Sequence, residues 1–200
     1  MICSQQKPRT EFFVDLKSGD FTVLEVTEIS INALKGDPLG KVFELWKQWA
    51  AGRSAPTWRD VDMMALPPEL IPQSVVVDVV NGGDDFRYRF WGTGYADHYG
   101  IDETGNLLSQ SVGPSFIEAT FKQLQDVMTQ NRPMAYEVSI RTTLTNTLQH
   151  KINLRLPIED TPGHVTKIMT TSQFSAIPIH DADRIRQAVW NERQKLEDKD

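Results

Sequence analysis

The sequence predicts an α+β protein: a five-stranded antiparallel sheet with short helices, one longer helix on one face, and helical extensions at both ends. Strand-like alternation recurs through residues 74–174. Hairpin-length links join the strands at both ends of this region, which implies antiparallel pairing. Between the two groups of strands lie a glycine-punctuated stretch and one run with helical spacing.

Taken in order, FFVDLKSGDFTVLEV at 12–26 reads as a hairpin around Lys17-Ser18-Gly19-Asp20. Residues 39–51 predict an amphipathic helix, with Leu39, Val42, Phe43, Trp46, Trp49 and Ala50 on one stripe. Asp37 is placed to cap it, Pro38 suits its first position and Gly52 stops it. APTWRDVDMMALPPELIP, rich in proline, reads as a connector wrapped over the surface. SVVVDVV and FRYRFW predict two strands joined through Asn81-Gly82-Gly83-Asp84-Asp85. Residues 114–131 read as the longer helix, with Ile117, Phe121, Leu124 and Met128 on one face and Asn131-Arg132-Pro133 ending it.

Two strands follow that helix. In one, Met134, Tyr136, Val138 and Ile140 alternate with Ala135, Glu137, Ser139 and Arg141. In the next, Leu148, His150, Ile152, Leu154, Leu156 and Ile158 alternate with Gln149, Lys151, Asn153 and Arg155. The turn Asp160-Thr161-Pro162-Gly163 leads to a last strand at 164–174, and a charged helix is expected at 182–196. The polar alternation predicts a sheet covered mainly on one side. The expected organisation is an N-terminal arm and connector over 1–73, a core over 74–174 and a C-terminal helix within 175–200.

Composition narrows the function classes. The 200 residues carry a net charge of −6, which provides no broad attraction for nucleic acid or an anionic membrane. The lone Cys3 excludes an internal disulfide and a multi-cysteine zinc site. No apolar run approaches the ~20 residues that span a bilayer. MICSQQKPRT lacks the apolar stretch of a secretory signal, so a cytoplasmic location is expected.

The stretch FRYRFWGTGYADHYGIDETG looks at first like a phosphate loop. A dinucleotide fingerprint would place a third glycine at 97, where Asp97 stands, and a carboxylate there repels pyrophosphate. The glycines instead predict tight turns. With LPPELIP-SVVVDV, FRYRFWGTG, YADHYGIDETGNLLS and the NRP after the long helix, the chain from Trp46 to Phe174 resembles the stand-alone bacterial PAS-like family. That resemblance implies a sensory or signalling module in which the segment after the second strand walls a small cavity, with Asp102 and Gly105 shaping its turns.

The cavity candidates are Phe90, Tyr95, His98, Tyr99, Ile117, Phe121, Leu124 and Leu154, together binding a small, mostly apolar ligand. For each, plain core packing is the competing reading. His98 is the candidate proton sensor or ligand contact, His150 a core or cavity histidine, and His164 and His180 solvated ends. Arg87, Arg89, Arg141 and Arg155 are expected to pair across strands with groups such as Glu137 and Asp78, with an anionic-ligand clamp as the alternative reading. Trp91 is expected on the outer sheet surface, near the helix that carries Trp46 and Trp49.

No cofactor is expected. Cys3 lies outside the core, away from any flavin, and 114–131 contains no histidine to bind haem. No metal spacing and no nucleophile elbow is present, so no metal and no catalysis are expected. A scaffold with a filled core, or a small-molecule enzyme of cone-like α+β fold, stays open beside the sensor reading. A protein partner receives the output, and a homodimer through the 39–51 helix, with Ile185 and Val189, is one form of it.

Overall fold

A computed structural model of the chain describes residues 21–111, 113–142 and 148–175. The turn expected at 17–20, the helix expected at 182–196, and Cys3, His180, Ile185 and Val189 lie outside these residues.

The sheet contains the five predicted strands and a sixth. They are β1 (Phe21–Ile29), β2 (Ser74–Val80), β3 (Asp85–Trp91), β4 (Met134–Thr142), β5 (Leu148–Thr161) and β6 (His164–Phe174). All pairings are antiparallel, in the order β1-β4-β5-β6-β2-β3. The described end of the expected N-terminal hairpin is β1, which adds to the edge of β4 with Val23 opposite Ile140 and Ile29 opposite Ala135. Among the described residues three α-helices accompany the sheet: α1 (Pro38–Ala50), α2 (Thr93–Tyr99) and α3 (Pro114–Gln130).

α1 forms as its pattern predicts. The Leu39 amide donates to Asp37 Oδ1 at 2.8 Å, which satisfies one of the orphan donors of the first turn. Leu39, Val42, Trp46 and Ala50 are buried against the sheet. Trp46 Nε1 donates to the Pro157 carbonyl at 2.9 Å, so this ring belongs to the chain's own core and is not free to form a dimer face.

The sheet is covered on both sides, not mainly on one. On the first face, α1 and the connector pack over Val76, Ala135, Leu154, Leu156, Ile158 and Met169. On the second, α2 and α3 pack over Val75, Val77, Phe86, Tyr88, Met134, Tyr136, Val138 and Ile168. β5 lies inside this sandwich. Its aliphatic positions face α1 and its polar positions face α3, the reverse of what the alternation suggested. Gln149, Lys151, Asn153 and Arg155 are all buried.

A bulge reassigns two aromatics. Val76 pairs with Phe90 and Val77 with Tyr88, so Arg89 is an extra residue on β3. An extra residue inverts the alternation beyond it. Phe90 therefore turns to the α1 side, and Trp91 enters the α3 side. The expectation of Trp91 on the outer surface is corrected by this one-residue shift.

Buried Glu159 ties three segments together. Its carboxylate accepts from Ser54 Oγ at 3.1 and 3.0 Å, from the Gly163 amide at 3.0 Å and from Asn131 Nδ2. The connector, the end of α3 and the β5–β6 turn thus meet on one satisfied charge.

Candidate ligand site between the sheet and the second and third helices

The glycines place the wall of the site by two different means. A Cβ on Gly92 would lie 2.2 Å from the Pro72 carbonyl oxygen, so only glycine lets β3 turn into α2 at this close approach. Gly100 ends α2 at φ 74°, a left-handed cap that β-carbon sterics disfavour for other residues. Asp102 Oδ1 accepts the Thr104 amide at 2.9 Å and closes the next turn, as its sequence position suggests.

α2 delivers two buried tyrosines to the interior, Tyr95 and Tyr99. Trp91 packs edge-on between Tyr88 and Tyr95, with centroids 4.8 and 5.0 Å away. Phe174 of β6 meets Tyr95 at 5.1 Å, and His98 stacks on Phe174 at 4.5 Å. Two small cavities open among these rings, of about 30 and 20 Å³. Each has room for about one water. Trp91, Phe116 and part of the polar strand border them: Gln149 lines the first, and Lys151 and Arg155 the second.

A hydrogen-bonded chain joins both helices to the sheet beneath. Tyr95 Oη donates to Ser172 Oγ at 2.5 Å, and Ser172 donates to Asn153 Oδ1 at 2.7 Å. Asn153 Nδ2 and Arg155 Nε both donate to Gln123 Oε1, at 3.2 and 2.9 Å. The Arg155 guanidinium also donates to Thr170 Oγ1 at 2.9 Å. Gln123 and Thr120 thus occupy the buried side of α3, which the hydrophobic stripe alone would have assigned to Ile117 and Phe121.

Two buried cations dominate the electrostatics. The Lys151 ammonium donates to Tyr99 Oη at 3.3 Å and sits 4.7 Å from the centre of the Phe116 ring. Arg155 bonds only to neutral oxygens. Among the described residues, neither cation meets a carboxylate at ion-pairing distance. Burial, and then the charge of Arg155, bring the Lys151 amine down to about 7. Burial also pulls Arg155 down, against the influence of the tyrosines around it, and pushes the hydroxyls of Tyr88, Tyr95 and Tyr99 up. Glu103 is buried at the rim of the first cavity, where it accepts Asn106 Nδ2 at 2.9 Å. Around the first cavity the Trp91 Nε1 and Gln149 Nε2 donors and the Ser111 hydroxyl are buried with no hydrogen-bond partner among the described residues.

The structure distributes the candidate residues unequally. Tyr99 lines the first cavity, and Tyr95 and Leu124 the second. His98 is half-buried against Tyr99 and Phe174. Ile117 and Phe121 lie along the shoulder of α3 beside Glu118, Lys122 and Gln125. Phe90 and Leu154 are on the opposite face of the sheet, with α1, and so are removed from this site. His150 is exposed, its Nδ1 3.1 Å from Ser139 Oγ, and is not a core histidine. Of the four arginines, Arg89 pairs with Asp78 as expected, whereas Arg155 is interior.

Sequence reasoning missed Lys151, Gln149 and Phe116 as site residues, expected Arg155 mainly in cross-strand pairing, and gave Trp91 the wrong face. A signal was present. The polar run at 149, 151, 153 and 155 stands opposite an aliphatic run on the same strand. A strand with an unbroken aliphatic face and a long polar face can be buried on both.

No family model and no curated protein matches the chain. Among solved structures, it is similar to the light-state LOV domain of the blue-light photoreceptor Aureochrome1, at 12% identity and TM-score 0.38, over 66% of this chain and 94% of that one. A fungal LOV-domain photoreceptor aligns at 13% identity and TM-score 0.38, over 70% of this chain and 98% of that one. A sensory box histidine kinase/response regulator from Burkholderia thailandensis E264 aligns at 12% identity and TM-score 0.33, over 63% and 92%. The chain itself has an α+β fold: a β-hairpin, short turns, a long helix across one face, then three antiparallel strands.

Proposed function

We propose that the chain is a non-enzymatic sensory module that holds a small molecule between the sheet and α2–α3. It passes occupancy on to a protein partner, a second copy included. The observation that carries this reading is the convergence of two adjoining cavities, two unspent donors and two unpaired cations inside an otherwise closed core. Polar groups are not buried unsatisfied without cost, each worth about 1–3 kcal/mol, and a ligand would recover it. The chain of bonds from Tyr95 to Gln123 supports the signalling half, because a ligand that moves α2 alters the seat of α3.

The neighbours of Lys151 support the non-enzymatic part. Its hydrogen-bond partner is the Tyr99 hydroxyl, which burial pushes away from neutral titration. A scaffold with a filled core is the competing reading, and cavities of about 30 and 20 Å³ favour it.

Native mass spectrometry of the purified protein, followed by mild denaturation, separates the two. A retained small molecule released on unfolding supports the sensor. A protein that carries no adduct and takes up no member of a fragment library is a scaffold.

A further inference from the structure

The ligand class can be read from the donors and acceptors of the interior. This step rests on the ligand-binding reading above and sharpens it. We propose that the site takes a small carboxylate whose head lies between Lys151 and Arg155 and whose short tail, bearing an oxygen acceptor, reaches Trp91 Nε1 and Gln149 Nε2.

The second cavity holds the charge. Lys151 and Arg155 share one face of β5, two positions apart from Asn153 on either side, and both border it. Tyr88, Tyr95, Thr120 and Thr170 bring hydroxyls to its walls, and none of them is an anion at neutral pH. Two buried cations so close repel each other, as the effect of Arg155 on Lys151 shows. A single anion between them reverses the sign of that repulsion, and the planar guanidinium fork suits a carboxylate. Glu159, the buried anion on this strand, already has three donors from other segments and does not serve this purpose.

The first cavity holds the tail. Its walls are mostly apolar: Val23, Tyr99, Ile101, Phe116 and Ile140. The unspent groups there are Trp91 Nε1, Gln149 Nε2 and the Ser111 hydroxyl; the first two can only donate, so the ligand must supply acceptors to them. Glu103 at the rim disfavours a second negative charge in this half. That restricts the ligand to a monoanion with its charge at one end. Trp91 and Phe116 border both cavities, so rotation of these two rings would join them into one space.

The test is titration calorimetry on the purified chain with pentanoate, 4-oxopentanoate, pentanamide and inorganic phosphate. Expected is saturable binding of 4-oxopentanoate, weaker binding of pentanoate, and at least tenfold weaker binding of pentanamide. Arg155→Met should lose about tenfold or more for both carboxylates, and Gln149→Leu should erase the preference for the oxo acid. Far-UV circular dichroism checks that each variant folds. If Arg155→Met does not fold, the wild-type comparison of pentanoate with pentanamide still decides, and the indole N–H resonance of Trp91 should shift with the acid alone.

Equal affinity for pentanoate and pentanamide overturns the carboxylate assignment while leaving a sensor for neutral molecules intact. Binding of phosphate without either carboxylate overturns it too. If no probe binds and neutral fragments also fail, this inference and the sensor reading fall together.

Discussion

The two faces of one sheet obey different rules. The α1 face is largely aliphatic and closed: Leu154, Leu156, Ile158 and Met169 are fully buried, and Trp46 Nε1 and Ser74 Oγ each donate to a backbone carbonyl. The α3 face buries an arginine, a lysine, an asparagine, a glutamine and several tyrosines, joined by hydrogen bonds but short of counter-charge. Burying apolar area stabilises a fold at about 25 cal/mol per Å². Burying a charge without an ion-pair partner does the reverse. One face makes the structure stable, while the other gives up some of that stability by burying polar and charged groups.

The sharpest way to break the comparison is to remove a side chain from the dry face. Leu154→Ala should cost about 2–5 kcal/mol, read as a lower urea midpoint, with ligand affinity unchanged in the folded fraction. A loss of affinity at constant stability would mean that Leu154 belongs to the site after all.

The next largest effect is expected from the wet face, with opposite sign. Lys151→Met should stabilise the unliganded protein by about 1–4 kcal/mol at pH 6. The folded-state amine has its value depressed to about 7. Below that pH the core must hold the charge, and the penalty is complete. Between about 7 and the ordinary lysine value the unfolded chain binds a proton that the folded chain lacks, so wild-type stability rises with pH. The variant should lose that rise. Above pH ~10 the buried tyrosines, whose folded values are raised, act in the other direction and stability falls in both proteins. Urea midpoints of the two proteins at pH 6, 8 and 9.5 check this; parallel curves would remove Lys151 as the cause.

Two smaller effects sharpen the frame around both faces. Asp37→Ala removes the cap of α1 and should cost about 0.5–2 kcal/mol, with faster amide exchange in the first turn. Arg89→Ala breaks a half-exposed pair with Asp78 and should cost only about 0.2–1 kcal/mol, falling further in high salt. An Arg89 effect as large as that of Leu154 would show that the bulge depends on the ion pair.

Particular residues show how far local pattern reaches. The cap at Asp37, the stripe of α1, the β2–β3 hairpin and the span of α3 were legible because each depends on neighbours three or four positions away, or on a turn within one hairpin. Tyr95, Tyr99 and Leu124 were legible as interior residues for the same reason. Phe90 and Trp91 were not: an alternating pattern is silent about an extra residue at Arg89, and the bulge exchanges their faces.

The sequence by itself determined the elements, their order and their antiparallel connection, since these follow from periodicity, turn residues and link length. Only the tertiary structure decided which side of each strand would meet which helix. Period two divides β5 into an aliphatic and a polar face but does not say that α1 covers the first and α3 the second. It also could not show that Arg155 lies nine-tenths or more out of water, beside groups contributed by α3 and β6. Burial and charge balance are properties of the packed chain, because the groups that exclude water from a side chain come from distant positions in the sequence.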